Sequence, residues 1–559
     1  MASRESVPRW HLACVPLAAF LAILPMLLRG PSCGHDFDFH LLSWLEASTQ
    51  FAHFGYPRWA FTPAWNAGEP RFVFYPPLSW TLGALLGRIL PWALVPAAYT
   101  WVCLTLSGLT ALRLARRYAS PTAAMVAATL YLANPYMLFT AYERTAYGEL
   151  LAAAWLPLLF AAALPLTLSF RGKAEQPASR PSPLLPIATA LALLWLTNAP
   201  AAVMGSYALA ILIAIRIIQT PAASRLRLAA SASAGTVLGL ALAAFYIVPA
   251  ASERRFVQID MAVIEGMRVS DHFLFHRMSA QSADAAFHDT VVRSASFIAL
   301  SILAAIAALS VAYLARARRG ETDSHRYLLP LTLLIAFLLT PPSLILWTHT
   351  PQLAFLQFPW RLVALLSVIL LVVTAQALDR FRRPALLLTL PCLLILPGWQ
   401  LFRQACDGTD ALPARVALFH SNLGTEATDE YTPAGADADA LKPHDPPYWL
   451  AADADSPAPL AAAGPAPNHL TLSVPTPEFL VLNRRRYPLW QVRLNGVPST
   501  PTQRTDGLIA VALPAGIDTI ELAPIRTPDE TIGLSISFLA ALAALTVRRK
   551  KLTAYRSQA

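Results

Sequence analysis

An apolar run at residues 12–28 (LACVPLAAFLAILPMLL) leads into the polar stretch Gly34-His35-Asp36-Phe37-Asp38-Phe39-His40. A run of this length can cross a bilayer's hydrocarbon core, which is about 30 Å thick. The polar stretch places two carboxylates and two histidines next to the membrane surface. Because ionisable groups are costly there, such a cluster marks a functional site. The two stretches together predict a membrane protein with a functional loop after its first span.

The composition favours a polytopic membrane protein. The 559 residues are 56% hydrophobic and only 14% charged, with a mean hydropathy of +0.47, whereas soluble domains are about 25% charged. The net charge of +10 does not indicate nucleic-acid binding, because Arg and Lys cluster in short links between apolar runs. That placement is typical of the cytoplasmic ends of membrane helices.

The apolar runs predict about twelve transmembrane helices, and strict alternation places every basic cluster on the cytoplasmic side. The first run has no small-residue cleavage site after it and is expected to be retained. We therefore expect a multi-pass membrane protein with both termini in the cytoplasm. The predicted spans are 12–28, 94–114, 123–139, 150–168, 184–196, 201–218, 228–248, 294–314, 328–346, 362–378, 385–399 and 532–547.

One apolar segment, residues 78–90, is predicted not to span. It is short, contains Arg88 and lies between Pro76-Pro77 and Pro91. Counting it as a span would move all later basic clusters to the wrong side. We expect an interfacial helix on the outer leaflet, within an outer loop at residues 30–92.

The sequence predicts four regions. Residues 1–400 form the polytopic domain, and residues 401–468, rich in Pro, Ala and Asp, are expected to be irregular. Residues 469–530 alternate as strands do, with Asn495-Gly496 and Asp506-Gly507 as hairpin signals, and predict a small extracytoplasmic β-sandwich. Residues 531–559 supply the final span and a basic tail. Cys33 and Cys406 fall on the same predicted side of the membrane, so a disulfide between them is one option. The sequence does not fix the distance between them, which leaves free thiols as the other option.

Asp36 is the leading candidate for catalysis. Asp36 and His40 are four residues apart and share one face if the segment is helical, whereas Asp38 points elsewhere. A carboxylate at a dry interface has its pKa raised, or is held ionised by a metal ion or an arginine. Either state suits a general base. The alternative for these residues is a solvated helix cap.

The second outer link, Tyr142–Glu149, contains two acids and an arginine. Glu149 begins a helix, where the helix dipole favours a carboxylate. This leaves Glu143 and Arg144 for a ligand or a metal. An ion pair that caps the helix ends is the alternative.

Arg361 lies at the predicted outer mouth of a helix, in Gln357-Phe358-Pro359-Trp360-Arg361. An arginine there can bind a phosphate through two parallel hydrogen bonds, or extend toward lipid headgroups. Arg58 and Arg71 are weaker candidates of the same kind. His272 and His276 are four apart but lack a third ligand, which favours a polar loop face over a metal site. No phosphate-binding glycine loop, nucleophile elbow or zinc signature occurs in the sequence, which favours a donor anchored in lipid.

With these motifs in order, the chain resembles the bacterial integral membrane proteins called 6-pyruvoyl-tetrahydropterin synthase-related. The name does not imply pterin chemistry, since the zinc-binding histidines of such a synthase are not seen here. These proteins are similar in layout to the GT-C glycosyltransferases. The motifs that carry the resemblance are Gly34–Leu41, Tyr56-Pro57-Arg58-Trp59, Phe74-Tyr75-Pro76-Pro77-Leu78, Tyr142-Glu143-Arg144 with Gly148-Glu149, and Gln357–Arg361.

The resemblance implies an inverting transfer of a sugar from a polyprenyl phosphate. Asp36 would be the base, Glu143 the second acid and Arg361 the clamp on the lipid phosphate, with a divalent metal ion as an optional cofactor. The link at Asn198 lacks the charged group that the resemblance leads us to expect. The sandwich, with Tyr487-Pro488-Leu489-Trp490, resembles the outer domain of YfhO-type membrane proteins.

The leading hypothesis is therefore a membrane glycosyltransferase that acts on a glycan, lipid or protein acceptor and not on nucleic acid. A lipid or glycan flippase or transporter is the first alternative, although polar residues inside the spans are scarce. A non-catalytic envelope assembly protein is the second alternative.

Overall fold

The computed structural model of the protein describes residues 9–53, 55–165, 182–279, 282–315, 324–381 and 383–556. Several basic residues that support the predicted topology lie outside these ranges. They are Arg4, Arg171, Lys173, Arg180, Arg316, Arg318, Arg319 and Arg382.

Helices of four to thirty-two residues dominate the described chain. They are α1 (Arg9–Arg29), α2 (Phe37–Ala52), α3 (Arg71–Phe74), α4 (Pro77–Ile89), α5 (Val95–Ala115), α6 (Pro121–Leu132), α7 (Pro135–Tyr142), α8 (Tyr147–Ala152), α9 (Leu156–Ala163), α10 (Leu184–Trp195), α11 (Ala199–Gln219), α12 (Ala222–Leu242), α13 (Ala244–Glu253), α14 (Ala283–Leu314), α15 (His325–Leu338), α16 (Leu344–His349), α17 (Val363–Leu378), α18 (Leu390–Phe402), α19 (Leu412–Phe419) and α20 (Pro528–Arg556).

The helices confirm a multi-pass membrane protein. In the described ranges, 8 helices are long and apolar enough to cross a membrane, or up to 10 if each of two bent pairs counts as one span. The bent pairs are α12 with α13 and α15 with α16. Two shorter apolar segments, Tyr147–Ala163 and α10, fall on the fourth and fifth predicted spans. Within the described residues, helix is thus found at each of the twelve predicted positions, although residues 166–168 of the fourth predicted span lie outside the described ranges. Two of the segments are short for a bilayer.

The segment predicted as interfacial is the helix α4. It packs between α2 and α5, and Trp80 on it is buried. Gly83 allows the close contact, since a Cβ there would lie only 2.3 Å from the indole of Trp44. The helix is thus fixed against the loop that contains Asp36.

The C-terminal region contains the predicted small β-sandwich. One antiparallel sheet has the order β1-β3-β6 and the other β2-β7-β4-β5, and apolar side chains of both sheets form one core. The strands are β1 (Tyr448–Ala451), β2 (His469–Val474), β3 (Glu478–Arg485), β4 (Trp490–Leu494), β5 (Val497–Ser499), β6 (Leu508–Leu513) and β7 (Gly516–Pro524).

Two details of this region differ from expectation. Residues 401–468 were predicted to be irregular but contain α19 and β1. Four residues are too few to show a strand pattern, and β1 is defined by its pairing with β3. Asn495-Gly496 does form the β4–β5 hairpin. Asp506-Gly507 instead precedes β6, which lies in the other sheet from β5.

The sandwich packs on the loop at residues 30–92. The backbone N–H of Arg485 donates to the carbonyl of Ala67 at 3.0 Å, and Trp59 lies in the sandwich core against Tyr487. Cys33 and Cys406 form a disulfide with Cα atoms 5.0 Å apart. Residues 30–92 and the sandwich lie at the same end of the helical bundle, and we call this end the loop end.

Candidate active site

The polar stretch after α1 lies along the link between α7 and α8. The hydroxyl of Ser32 donates to the carbonyl of Tyr142 at 2.5 Å. The backbone N–H groups of His35 and Asp36 donate to the carbonyls of Glu143 and Arg144 at 3.3 and 2.8 Å. These bonds join two segments that are more than one hundred positions apart in the sequence.

Gly34 is required for this approach, because a Cβ at Gly34 would lie 2.1 Å from the carbonyl oxygen of Glu143. We expect Gly34→Ala to separate the two segments and to lower the free energy of unfolding by about 1–3 kcal/mol, the usual cost of overpacking. The matched control is Gly55→Ala, whose Cβ would meet only an ordinary contact at 3.5 Å. Equal unfolding temperatures for the two purified variants would contradict the close approach.

Four charged side chains form one chain of ion pairs at the loop end. Nη2 of Arg144 lies 3.2 Å from Oδ2 of Asp36, and Nη1 of Arg144 contacts Oε2 of Glu149. Nε of Arg361 lies 2.9 Å from Oε1 of Glu149. The two groups form an ion pair, but their orientation does not meet the geometry of a hydrogen bond. The four residues come from three separate segments, since Arg144 and Glu149 are only five positions apart, and their formal charges cancel.

Asp36 is the accessible end of this chain. Its side chain is 29% exposed, whereas those of Arg144, Glu149 and Arg361 are 4%, 5% and 10% exposed. Burial alone would raise the pKa of Asp36, but the Arg144 guanidinium and the His35 ring outweigh it and hold this pKa below its usual value. Asp36 is therefore ionised at neutral pH and reachable from outside the protein.

Arg361 is held in place by several contacts, but some of its hydrogen-bond donors have no partner within the described residues. Nη1 donates to the carbonyl of Leu356 at 2.7 Å and to the side-chain oxygen of Gln357 at 3.3 Å. The guanidinium lies over the ring of Phe358 at 4.4 Å. No hydrogen bond of Nη2 is found within the described ranges. This leaves N–H groups free to bind an anion.

Aromatic rings enclose the ion pairs. Arg144 lies over the ring of Trp360 at 4.7 Å, and the Tyr75 hydroxyl lies 2.9 Å from the place of a Cβ on Gly148. His40 packs edge-on against Tyr75 and Tyr147. Burial lowers the pKa of His40 to about 4, so His40 is neutral at pH 7 and lines the site as an uncharged ring.

Two of the predicted acids lie beside the chain of ion pairs rather than in it. Asp38 points away from Asp36 and pairs with Arg415. Glu143 contributes its backbone carbonyl to the contact with His35. Burial raises the pKa of the Glu143 side chain to about 7 against the opposing effect of Arg144, and its carboxylate has no hydrogen bond within the described residues.

The two weaker arginine candidates are bound to other carboxylates. Arg58 pairs with Glu253, and with Glu530 at 2.8 Å, and so connects the loop to α13 and α20. Arg71 pairs with Glu69 at 2.8 Å and lies over the ring of Phe39. Within the described residues, neither arginine forms an ion pair or a hydrogen bond with Asp36 or Arg361.

Glu149 is the residue whose role the sequence analysis missed. We expected it only to favour a helix start, but its carboxylate joins the two arginines. Asn198 also lies at the site, which the sequence analysis did not predict. Its amide nitrogen would be 3.4 Å from a Cβ atom built on Gly148. The sequence feature that could have indicated these contacts is the pair Gly148-Glu149. Glycine has no side chain, so other residues can pack closely beside the carboxylate of Glu149.

The side chains at the site do not fit a protein-held metal ion. In the described part of the chain, no three His, Cys, Asp or Glu residues converge in a geometry that suits a metal. Both oxygens of Glu149 and Oδ2 of Asp36 face arginines, which occupy the place of a cation, and Oδ1 of Asp36 lies 3.0 Å from Nδ1 of His35. The rings of His272 and His288 lie 4.6 Å apart at a tilt of 55°, and the ring of His276 lies 6.4 Å from that of His288.

Comparisons with known proteins give structural neighbours but no family. No protein-family model and no curated protein sequence matches the chain, so the resemblances to the 6-pyruvoyl-tetrahydropterin synthase-related and YfhO-type proteins stay predictions. The arabinofuranosyltransferase AftD from mycobacteria has a TM-score of 0.44 at 15% identity, over 94% of this chain and 40% of that chain. The oligosaccharyltransferase from Archaeoglobus fulgidus has a TM-score of 0.35 at 14% identity, over 72% of this chain and 56% of that chain. Both neighbours are glycosyltransferases, and this chain spans less than two thirds of the length of each.

Proposed function

We propose that the protein is an integral membrane glycosyltransferase that moves a sugar from a polyprenyl-phosphate donor to an acceptor hydroxyl. One observation carries this proposal: Asp36, Arg144, Glu149 and Arg361 converge at the loop end of a bundle of apolar helices. An accessible carboxylate and a partly free arginine, joined through buried ion pairs, provide a proton acceptor and an anion-binding group in one place.

The reaction requires both groups. The acceptor oxygen forms a bond to the anomeric carbon while its proton passes to Asp36. The bond from the anomeric carbon to the phosphate oxygen breaks, and the lipid phosphate leaves with the electron pair. Arg361 stabilises that negative charge through its N–H groups. Attack from the side opposite the phosphate inverts the anomeric centre.

Arg144 and Glu149 act as positioning residues in this proposal. Arg144 donates to Asp36 at 3.2 Å and so fixes the direction of the carboxylate. Glu149 neutralises Arg144 and lies beside Arg361. Since three of the four side chains are almost fully buried, their geometry is set before substrate binds, as electrostatic catalysis requires.

The disulfide between Cys33 and Cys406 supports an extracytoplasmic location for the loop end. Disulfides persist in oxidising compartments and are rare in the cytosol. The basic links of the sequence assign the opposite end to the cytoplasm. We therefore propose that transfer occurs at the outer face of a bacterial inner membrane, on a glycan, lipid or protein acceptor.

The test uses the full chain in lipid vesicles that contain polyprenyl-phosphate-linked sugars. The proposal predicts release of polyprenyl phosphate together with a glycosylated acceptor. Native mass spectrometry of the purified protein should also detect a bound phosphorylated polyprenyl lipid. Movement of the lipid between leaflets without cleavage of the sugar–phosphate bond would replace the proposal with a flippase.

The pH dependence of transfer distinguishes Asp36 from Glu143 as the base. A base must be deprotonated, so the rate falls as the pH drops below its pKa. The pKa of Asp36 is lowered from an already acidic value, so we expect kcat/KM to be flat between about pH 8 and pH 5. A base at Glu143, whose pKa is raised to about 7, would give a loss of about tenfold per pH unit on the acidic side.

A further inference from the structure

A second concave site lies between the β-sandwich and the turn that follows α13. This cleft has a volume of about 420 Å³ and shares no residue with the chain of ion pairs at Asp36. Its size falls within the range of small-ligand sites, which measure about 300–1,000 Å³. Phe256 belongs to the turn, whereas Tyr487 and Trp490 belong to the sandwich, and all three line the cleft.

Two arginines of the cleft are available for a ligand. Arg255 and Arg486 both line the cleft and are exposed. Neither has a hydrogen bond from its side chain or an ion pair within the described part of the protein. By contrast, Arg504 on the same lining is buried and bound to Asp506. The guanidinium of Arg255 lies over the ring of Phe256 at 4.8 Å, which limits its freedom.

The charge of the lining selects an anion. The lining contains three arginines and no Asp or Glu. Arginine forms parallel hydrogen bonds with the two oxygens of a carboxylate or phosphate. An anion bound in the cleft would offset the positive charges of Arg255 and Arg486.

The shape and the apolar part of the lining favour a saccharide over a membrane surface. The half-buried side chains of Phe256, Pro488 and Pro501 provide the apolar part of the accessible lining, whereas Tyr487 and Trp490 are almost fully buried in the sandwich core. Such apolar surfaces pack against the C–H faces of a sugar. A planar membrane surface would meet the exposed arginines but would leave a concave floor empty. We infer that the cleft binds an acidic saccharide, in which a carboxylate or phosphate contacts Arg255 and Arg486.

A role for this saccharide as part of the acceptor rests on the proposed function, but its binding does not. The cleft belongs to the surface that joins the sandwich to α13 through the bond between Tyr487 and Glu253. A ligand in the cleft would therefore be bound by the β-sandwich, which also packs on the loop at residues 30–92. The cleft would thus hold an acidic glycan beside the membrane.

The test is a titration of the full chain in phosphatidylcholine nanodiscs. The probes are a galacturonic acid tetrasaccharide, glucose 1-phosphate, and neutral maltotetraose. We expect an acidic saccharide to bind more tightly than maltotetraose. We expect Arg255→Gln and Arg486→Gln each to weaken that binding by about tenfold, the loss for one charged hydrogen bond. Arg493→Gln, an exposed arginine on β4 outside the cleft, should bind as the wild type does.

Three results would overturn the inference. They are equal binding of acidic and neutral saccharides, no effect of the two substitutions in the cleft, and, in a parallel assay with vesicles in place of the saccharides, binding to phosphatidylglycerol vesicles alone. Asp36→Asn should keep full saccharide binding. If it binds the saccharide but the wild type transfers no sugar, the proposed function fails while the cleft remains a saccharide site.

Discussion

Asp36→Asn is expected to lower the rate of sugar transfer by about 10²–10⁴-fold, the usual contribution of a general base. Asparagine keeps the shape of the side chain but cannot accept the acceptor's proton. Asp36 caps α2 without a side-chain hydrogen bond, and Arg144 keeps its contact with Glu149. The loss should therefore fall on kcat, with KM for the donor changed little.

Asp38→Asn is the matched control for this variant. Asp38 lies two positions away on the same helix but is paired with Arg415. We expect its transfer rate to stay close to that of the wild type. Equal losses in the two variants would show that general disturbance of the loop, and not removal of the base, explains the effect.

Arg144→Leu is expected to cause the largest loss of stability. Arg144 is the partner of both Asp36 and Glu149, so its removal leaves the nearly buried carboxylate of Glu149 with Arg361 alone. Removal of one partner from a buried ion pair typically costs about 3–5 kcal/mol. The quantity to measure is the free energy of unfolding in mixed micelles, with Arg493→Leu as the exposed control.

A double-mutant cycle isolates the coupling between Arg144 and Glu149. The double variant Arg144→Leu with Glu149→Leu removes both charges together, so it should cost less than the two single substitutions added. Strict additivity would contradict a direct ion pair between these residues. A loss for Arg144→Leu no greater than for Arg493→Leu would contradict the buried position of Arg144.

The membrane fold was predictable because each span is encoded locally. An apolar run long enough to cross a bilayer must satisfy its backbone polar groups within itself, so helices follow from composition. The alternation of polar and apolar residues in β2, β4 and β7 likewise predicted strands. The strand β1 was missed because its four residues are defined by a partner about thirty positions away.

The site was only partly predictable because its contacts join distant segments. Asp36 and Arg361 stand out as charges beside apolar runs. In the structure Arg144 links Asp36 to Glu149, and Arg361 contacts Glu149 directly. Arg58 looked similar, but its partners Glu253 and Glu530 lie far along the chain and cannot be inferred from spacing. A charge beside a membrane span indicates a site, whereas its partner is known only from the fold.

Arg361→Gln, measured together with the wild type, tests the central claim most directly. The measurement is the affinity of the purified protein for a polyprenyl-phosphate-linked sugar, followed by the transfer rate from the same donor. We expect the wild type to bind the polyprenyl-phosphate-linked sugar and to transfer the sugar. We expect Arg361→Gln to lose at least about tenfold in donor affinity, because a charged hydrogen bond to the phosphate is removed. Unchanged affinity and transfer in Arg361→Gln would contradict a reaction centre that spans Asp36 and Arg361.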